Sequence, residues 1–181
     1  MLLSQIVNKS NHFLFSVKAL VVFLSIVLSS LEKPLLSNTY SSRLKSPQYL
    51  PLEAEWCLPK KDCLLLEIAD TDYEKSLGLM HRRTLEKGTG MWFRFFPSEI
   101  VRFWMFETFI PLDIIFSYKG IIIAIETNVP SCSIPKCPTF GPNRPVDSVI
   151  EIAAGEVERL KIKVGDSLEI NYLKNRFKKI P

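Results

Sequence analysis

Histidine is nearly absent from this chain, which has only His12 and His81 among its 181 residues. No G-x-S-x-G phrase occurs either, so a Ser-His-Asp triad would rest on His81 with no elbow to present the serine. Glycine is scarce, at seven residues, and no glycine-rich phosphate loop is present. No run reaches the roughly 20 apolar residues that a transmembrane helix needs, and no internal repeat of fixed period appears. Strong charge of one sign is also missing. The formal net charge is +4, and since Lys9 and Lys18 precede the first acid, Glu32, the chain beyond its N-terminal segment carries only +2. That is too little to imply a nucleic-acid partner.

What is present is the composition of a folded domain, 47% hydrophobic and 23% charged, which excludes collagen-like, disordered and multi-span membrane classes. The length suits a single domain, expected to be a monomer. Twelve Pro and 11% aromatics beside few Gly suggest short strands with stiff connections.

Residues 19–28 read ALVVFLSIVL, with Lys9 and Lys18 before them and Ser29 and Ser30 after. This is the layout of a secretory signal, so residues 1–30 are expected to be a cleaved leader and the protein periplasmic or secreted. An uncleaved leader would tether it to the membrane. Residues 31–59 read as a Ser- and Pro-containing linker, 60–173 as one β-rich domain, and 174–181, with Lys174, Arg176, Lys178 and Lys179, as a solvated basic tail.

Export bears on the four cysteines, Cys57, Cys63, Cys132 and Cys137. An even set in an oxidising compartment predicts disulfides, with three pairings open. Cys132 with Cys137 is favoured because the four intervening residues close a tight loop. A zinc site is the alternative, but neither pair has the two-residue knuckle spacing, and C-x4-C is not the redox C-x-x-C.

Thr71-Asp72-Tyr73-Glu74 is a capping box, predicting a short helix from Asp72 to Leu79. A second is expected at Gly155–Lys161. Seven strands are expected, at Leu64–Ala69, Met91–Phe96, Val101–Met105, Ile114–Tyr118, Ile121–Thr127, Ser148–Ala153 and Ser167–Tyr172, with Lys119-Gly120 as a hairpin turn. Strands following one another with so few helices predict a mainly β fold, an antiparallel β-sandwich or barrel.

Five phrases stand out: GLMHRRTL (Gly78–Leu85), GMWFRF (Gly90–Phe95), FWMFETFIPLDIIF (Phe103–Phe116), CPTFGPN (Cys137–Asn143) and IEIAAGEVERLKIKVGDSLEI (Ile150–Ile170). In this order they resemble a prokaryotic family called domain of unknown function 192. The resemblance spans Leu64 to Tyr172 and implies a small, often exported domain with a β-sandwich fold, but no reaction or cofactor. The family's signature falls on Gly78, Leu79, Met80 and Arg83, on Gly90 and Met91, and on Phe103, Trp104 and Met105 followed by Thr108, Ile110, Pro111, Leu112 and Asp113. Where members usually carry Asn before the threonine, this chain has Glu107.

These residues suggest a site. Arg83, Trp104, Thr108 and Asp113 are the candidate ligand-binding set, with the guanidinium holding a ligand carboxylate or phosphate. Asp113 read structurally is instead a buried acid paired with Arg83 or Arg102. Binding of a small molecule or an envelope partner without catalysis is the expected function. The alternative is a hydrolase acting through Asp113 and Glu107 with Arg83. A further alternative is soft-metal (copper) binding through Met80, Met91 and Met105 on one side, against the commoner role of methionine in a core. No resident metal or cofactor is assigned.

Overall fold

The computed structural model describes residues 46–59, 62–134 and 136–173. The leader, most of the segment read as a linker, and the basic tail lie outside the described residues. Nine strands and two helices follow in chain order: β1 (Leu52–Cys57), β2 (Cys63–Ala69), α1 (Asp72–Leu77), β3 (Thr89–Glu99), β4 (Phe103–Trp104), β5 (Leu112–Tyr118), β6 (Ile121–Val129), β7 (Thr139–Phe140), β8 (Val146–Ala153), α2 (Glu156–Leu160) and β9 (Ile170–Tyr172). Seven of the strands form one sheet in the order β6-β5-β8-β3-β2-β1-β9, and β4 pairs with β7 separately.

The fold is mainly β, sandwich-like and not a closed barrel. Every neighbouring pair in the large sheet is antiparallel except β2 and β3, which run parallel. The crossover between those two carries α1, so one local βαβ unit sits inside an otherwise antiparallel sheet.

Both faces of the sheet are buried, because successive side chains on a strand point to opposite sides. Trp56, Leu66, Trp92, Ile115 and Ile150 form one core, covered by Val157, Ile162 and Leu168 from α2 and the segment after it. Met91, Phe93, Ile114, Phe116 and Val149 form the other, covered by Leu79, Met105 and Val129. This two-sided burial is why β5 reads as a continuous apolar run with only Asp113 and Ser117 breaking it.

The segment following α2 bonds to the β6 edge and then supplies the opposite edge strand, β9. Ile122 donates to the Asp166 carbonyl at 3.0 Å and Leu168 to that of Gly120 at 2.8 Å, after which β9 pairs with β1. Backbone groups on the β6 edge, and on the side of β1 away from β2, are thereby partly satisfied.

The capping box forms as its spacing requires: the Thr71 side chain accepts from the Glu74 amide and the Glu74 carboxylate from the Thr71 amide. Gly78, rather than Leu79, ends the helix. Lys119 and Gly120 both take positive φ, 51° and 73°, as a tight right-twisting hairpin needs.

One boundary is corrected. β1 lies within residues 31–59, so the domain begins before residue 60. Ala54 and Trp56 point into the core while Glu53 and Glu55 do not. This alternation was masked by the flanking Pro51 and Pro59 and the polar composition upstream. The run Val101–Met105 contributes only the two residues of β4, and the last expected strand only Ile170–Tyr172.

Candidate functional site

Alternation along β8 turns Val149 and Glu151 toward the face that α1 covers, while Ile150 and Ile152 turn the other way. Glu151 is opposite Met91 of β3 and Ile114 of β5, and Glu67 of β2 is registered with the same Met91. Two acids thus enter one apolar face, each less than a tenth exposed.

They are treated differently. Arg82, itself buried, donates to both Glu67 carboxylate oxygens at 2.7 and 2.6 Å, and the Leu50 amide adds a third bond at 2.7 Å. The remaining guanidinium bonds go to the Gln48 carbonyl, at 2.9 and 2.6 Å. Glu67 is therefore fully compensated. Glu151 receives no hydrogen bond from the described residues, and burial pushes its carboxyl up to about 8, opposed only by the charge of Arg82.

The Glu151 side chain lines a pocket of about 40 Å³ with Gly78, Phe93, Phe103, Trp104 and Thr108. Gly78 keeps it open: its φ is 49°, and a Cβ there would stand 3.3 Å from Phe93 Cζ and 4.0 Å from Glu151 Oε2. Gly90 has a different duty, since a Cβ would lie 2.6 Å from the Glu151 carbonyl and force β3 and β8 apart. Trp104, the last residue of β4, is 45% exposed, whereas Met105, just after it, is 1% exposed in the core.

The residues singled out from sequence do not form one site. Trp104 and Thr108 line the pocket. Arg83 is exposed, its guanidinium 5.9 Å from the Phe109 ring. Asp113 is wholly buried on the opposite face, where Oδ1 accepts from the Asn128 amide and Oδ2 from the Val157 amide, each at 2.9 Å. It ties β6 and the start of α2 to β5, so its partners are backbone amides rather than Arg83 or Arg102. Arg102 is held by the carbonyls of Thr139 and Gly141.

Glu107 lies in the loop over the α1 face, with φ 54° and its carboxylate 3.4 Å from His81 Nε2. The two acids of the hydrolase alternative, Asp113 and Glu107, therefore belong to opposite faces of the sheet. Met91 and Met105 are packed in the aromatic-rich core, and Met80 lines the pocket. Among the described residues one cluster gathers metal-ligating atoms, Glu55 with Cys57 and Cys63, but the two sulfurs are bonded to each other.

Sequence reasoning missed Glu67, Arg82 and Glu151. A signal existed: Glu67 and Glu151 each interrupt a β-branched or leucine-rich run at a position whose alternate neighbours are apolar. An acid in such a place needs a partner or a raised pKa.

Both cysteine pairs are at bond distance. Cys57 and Cys63 face each other across β1 and β2, and Cys132 bonds Cys137, the pairing favoured by its short loop. No helix among the described residues is long and apolar enough to cross a membrane.

No curated protein matches the chain. Two crystal structures resemble it. A protein of unknown function from Novosphingobium aromaticivorans DSM 12444 has 30% identity and a TM-score of 0.59, over 68% of this chain and 92% of that one. A candidate transcription regulator from Sinorhizobium meliloti 1021 has 28% identity and a TM-score of 0.56, over 66% and 92%. The family model DUF192, described as Uncharacterized ACR, matches residues 58–170. With the sheet, the GLM turn and the Phe-Trp-Met strand in the places its phrases occupy, the chain belongs to the family of domain of unknown function 192.

Proposed function

We propose that this chain is an exported β-domain that binds a small molecule in the pocket over Glu151, without chemistry of its own. One observation carries the reading: a nine-tenths buried carboxyl without a hydrogen bond among the described residues opens into a pocket beside a half-exposed tryptophan. A buried ionisable group left unmatched costs stability, and such groups concentrate where a ligand completes them. Trp104 supplies a flat apolar wall and Thr108 a hydroxyl, the usual mixture of a binding site.

Export is supported by the apolar leader at residues 19–28 and by two disulfides, which persist in oxidising compartments.

The test is native mass spectrometry of unreduced protein recovered from its own compartment, wild type beside Trp104→Ala. A small molecule retained by the wild type and lost from a folded Trp104→Ala supports the pocket. Equal retention by both, or nothing retained by either, overturns it.

A further inference from the structure

The charges around Glu151 select a class of ligand. Two cationic side chains and one histidine stand nearby, and each is already engaged. Arg82 is spent on Glu67 and Gln48. Lys75, which also lines the pocket, is 3.5 Å from Asp72 and 5.3 Å from the centre of the Phe95 ring. His81 lies against Glu107. A ligand anion entering the pocket would thus meet a carboxyl and no uncommitted cation. An apolar group would seal that carboxyl from water with nothing to bond it.

We infer that the group seated over Glu151 is a primary ammonium, so that the ligand of the proposed pocket is an amine. This rests on the pocket being the binding site and goes one step beyond it. An ammonium offers three donors and no acceptor, and the Glu151 carboxylate at the pocket is an acceptor left without a donor among the described residues. The acceptors that line it are the Glu151 carboxylate and the Thr108 hydroxyl. The rings of Phe93, Phe103 and Trp104 are among its lining, and aromatic rings attract a cation that reaches their faces. A volume of about 40 Å³ takes an ammonium with a carbon or two. By the space one water needs, about 10–15 Å³, it is too small for a quaternary head.

Binding of a cation requires the ionised form of Glu151. Affinity should therefore rise with pH until the carboxyl's own value, about 8, is passed. The ligand stays charged over this range, since an alkylammonium like that of lysine loses its proton only near pH 10.4.

The experiment titrates the full-length, disulfide-bonded chain with ethylammonium chloride at pH 6.5, 7.5 and 8.5, followed by calorimetry and tryptophan fluorescence. Acetate and tetramethylammonium are controls, and a capped lysine peptide tests whether a protein-borne ammonium enters as well as a free amine. Saturable ethylammonium binding is expected, tightening by about tenfold between pH 6.5 and 7.5 and less above. Glu151→Gln should weaken it by about tenfold or more and remove the pH dependence. Trp104→Ala should weaken it by about threefold or more while the fold persists, and decides the matter alone if Glu151→Gln does not fold.

Ethylammonium binding that Glu151→Gln leaves unchanged, or acetate binding in its place, overturns the inference. If the wild type retains a molecule without an amine that Trp104→Ala loses, the inference fails while the pocket stands. Retention insensitive to both substitutions removes the pocket as well.

Discussion

Arg82 grips both oxygens of Glu67, at 2.7 and 2.6 Å, while Glu151, on the other side of Met91 in the same sheet face, has no such partner. One buried acid is matched by its arginine. The other is left with a proton it can lose. The first holds the turn after α1 on the sheet, since Arg82 follows the GLM phrase by only two residues, and that turn forms one wall of the pocket over the second.

Removing the arginine therefore tests the scaffold. Arg82→Leu leaves the buried Glu67 without its arginine, and should cost about 3–5 kcal/mol in denaturant unfolding. Arg83→Leu, next in sequence but exposed, should leave the midpoint nearly where it was. Equal losses from the two would show that burial of Arg82 is not what matters.

Asp113 is structural through backbone amides. Asp113→Ala orphans the amides of Asn128 and Val157, at about 1–3 kcal/mol each, and should lower the melting temperature by several degrees. Asp113→Asn keeps one acceptor and should lose less. An unchanged melting temperature in Asp113→Ala, with ligand retention lost, would return Asp113 to the site.

The pH dependence of stability follows from Glu151. In the unfolded chain a glutamate gives up its proton near pH 4.5, whereas in the fold it holds it to about 8. Between these values the folded state carries the extra proton, so this group's contribution to stability declines as pH rises through that window and levels off above it. Glu151→Gln should abolish that part of the slope and exceed the wild type in stability above pH 8. Parallel curves for the two proteins, measured from pH 4.5 to 9, would count against a raised Glu151.

Both cysteine pairs should be oxidised in protein taken from its native compartment, giving no alkylation without reductant and four sites after it. Replacing Cys132 and Cys137 together by serine should cost about 2 kcal/mol, the loop entropy of a short closed segment. Four alkylated cysteines before reduction would sink both the disulfides and the export argument built on them.

Much of the fold was legible because it depends on neighbours in the chain. The Thr71–Glu74 cap, the Lys119-Gly120 turn and the loop closed by Cys132 and Cys137 each follow from residues no more than five apart. Backbone geometry leaves such segments few alternatives, so the residue types suffice.

The site was not legible in the same way. Two adjacent arginines, Arg82 and Arg83, are alike in sequence, and only the path of the turn after Gly78 decides that one is buried on Glu67 and the other exposed near Phe109. Glu151 is an acid in an apolar strand until β3 and β5 flank it and α1 closes over it. Asp113 finds its partners 15 and 44 residues away. The sequence by itself determined the periodicities, caps, turns and family. Tertiary structure alone decided which polar groups were partnered, because desolvation and hydrogen bonding depend on what lies across the sheet and not on what lies beside a residue in the chain.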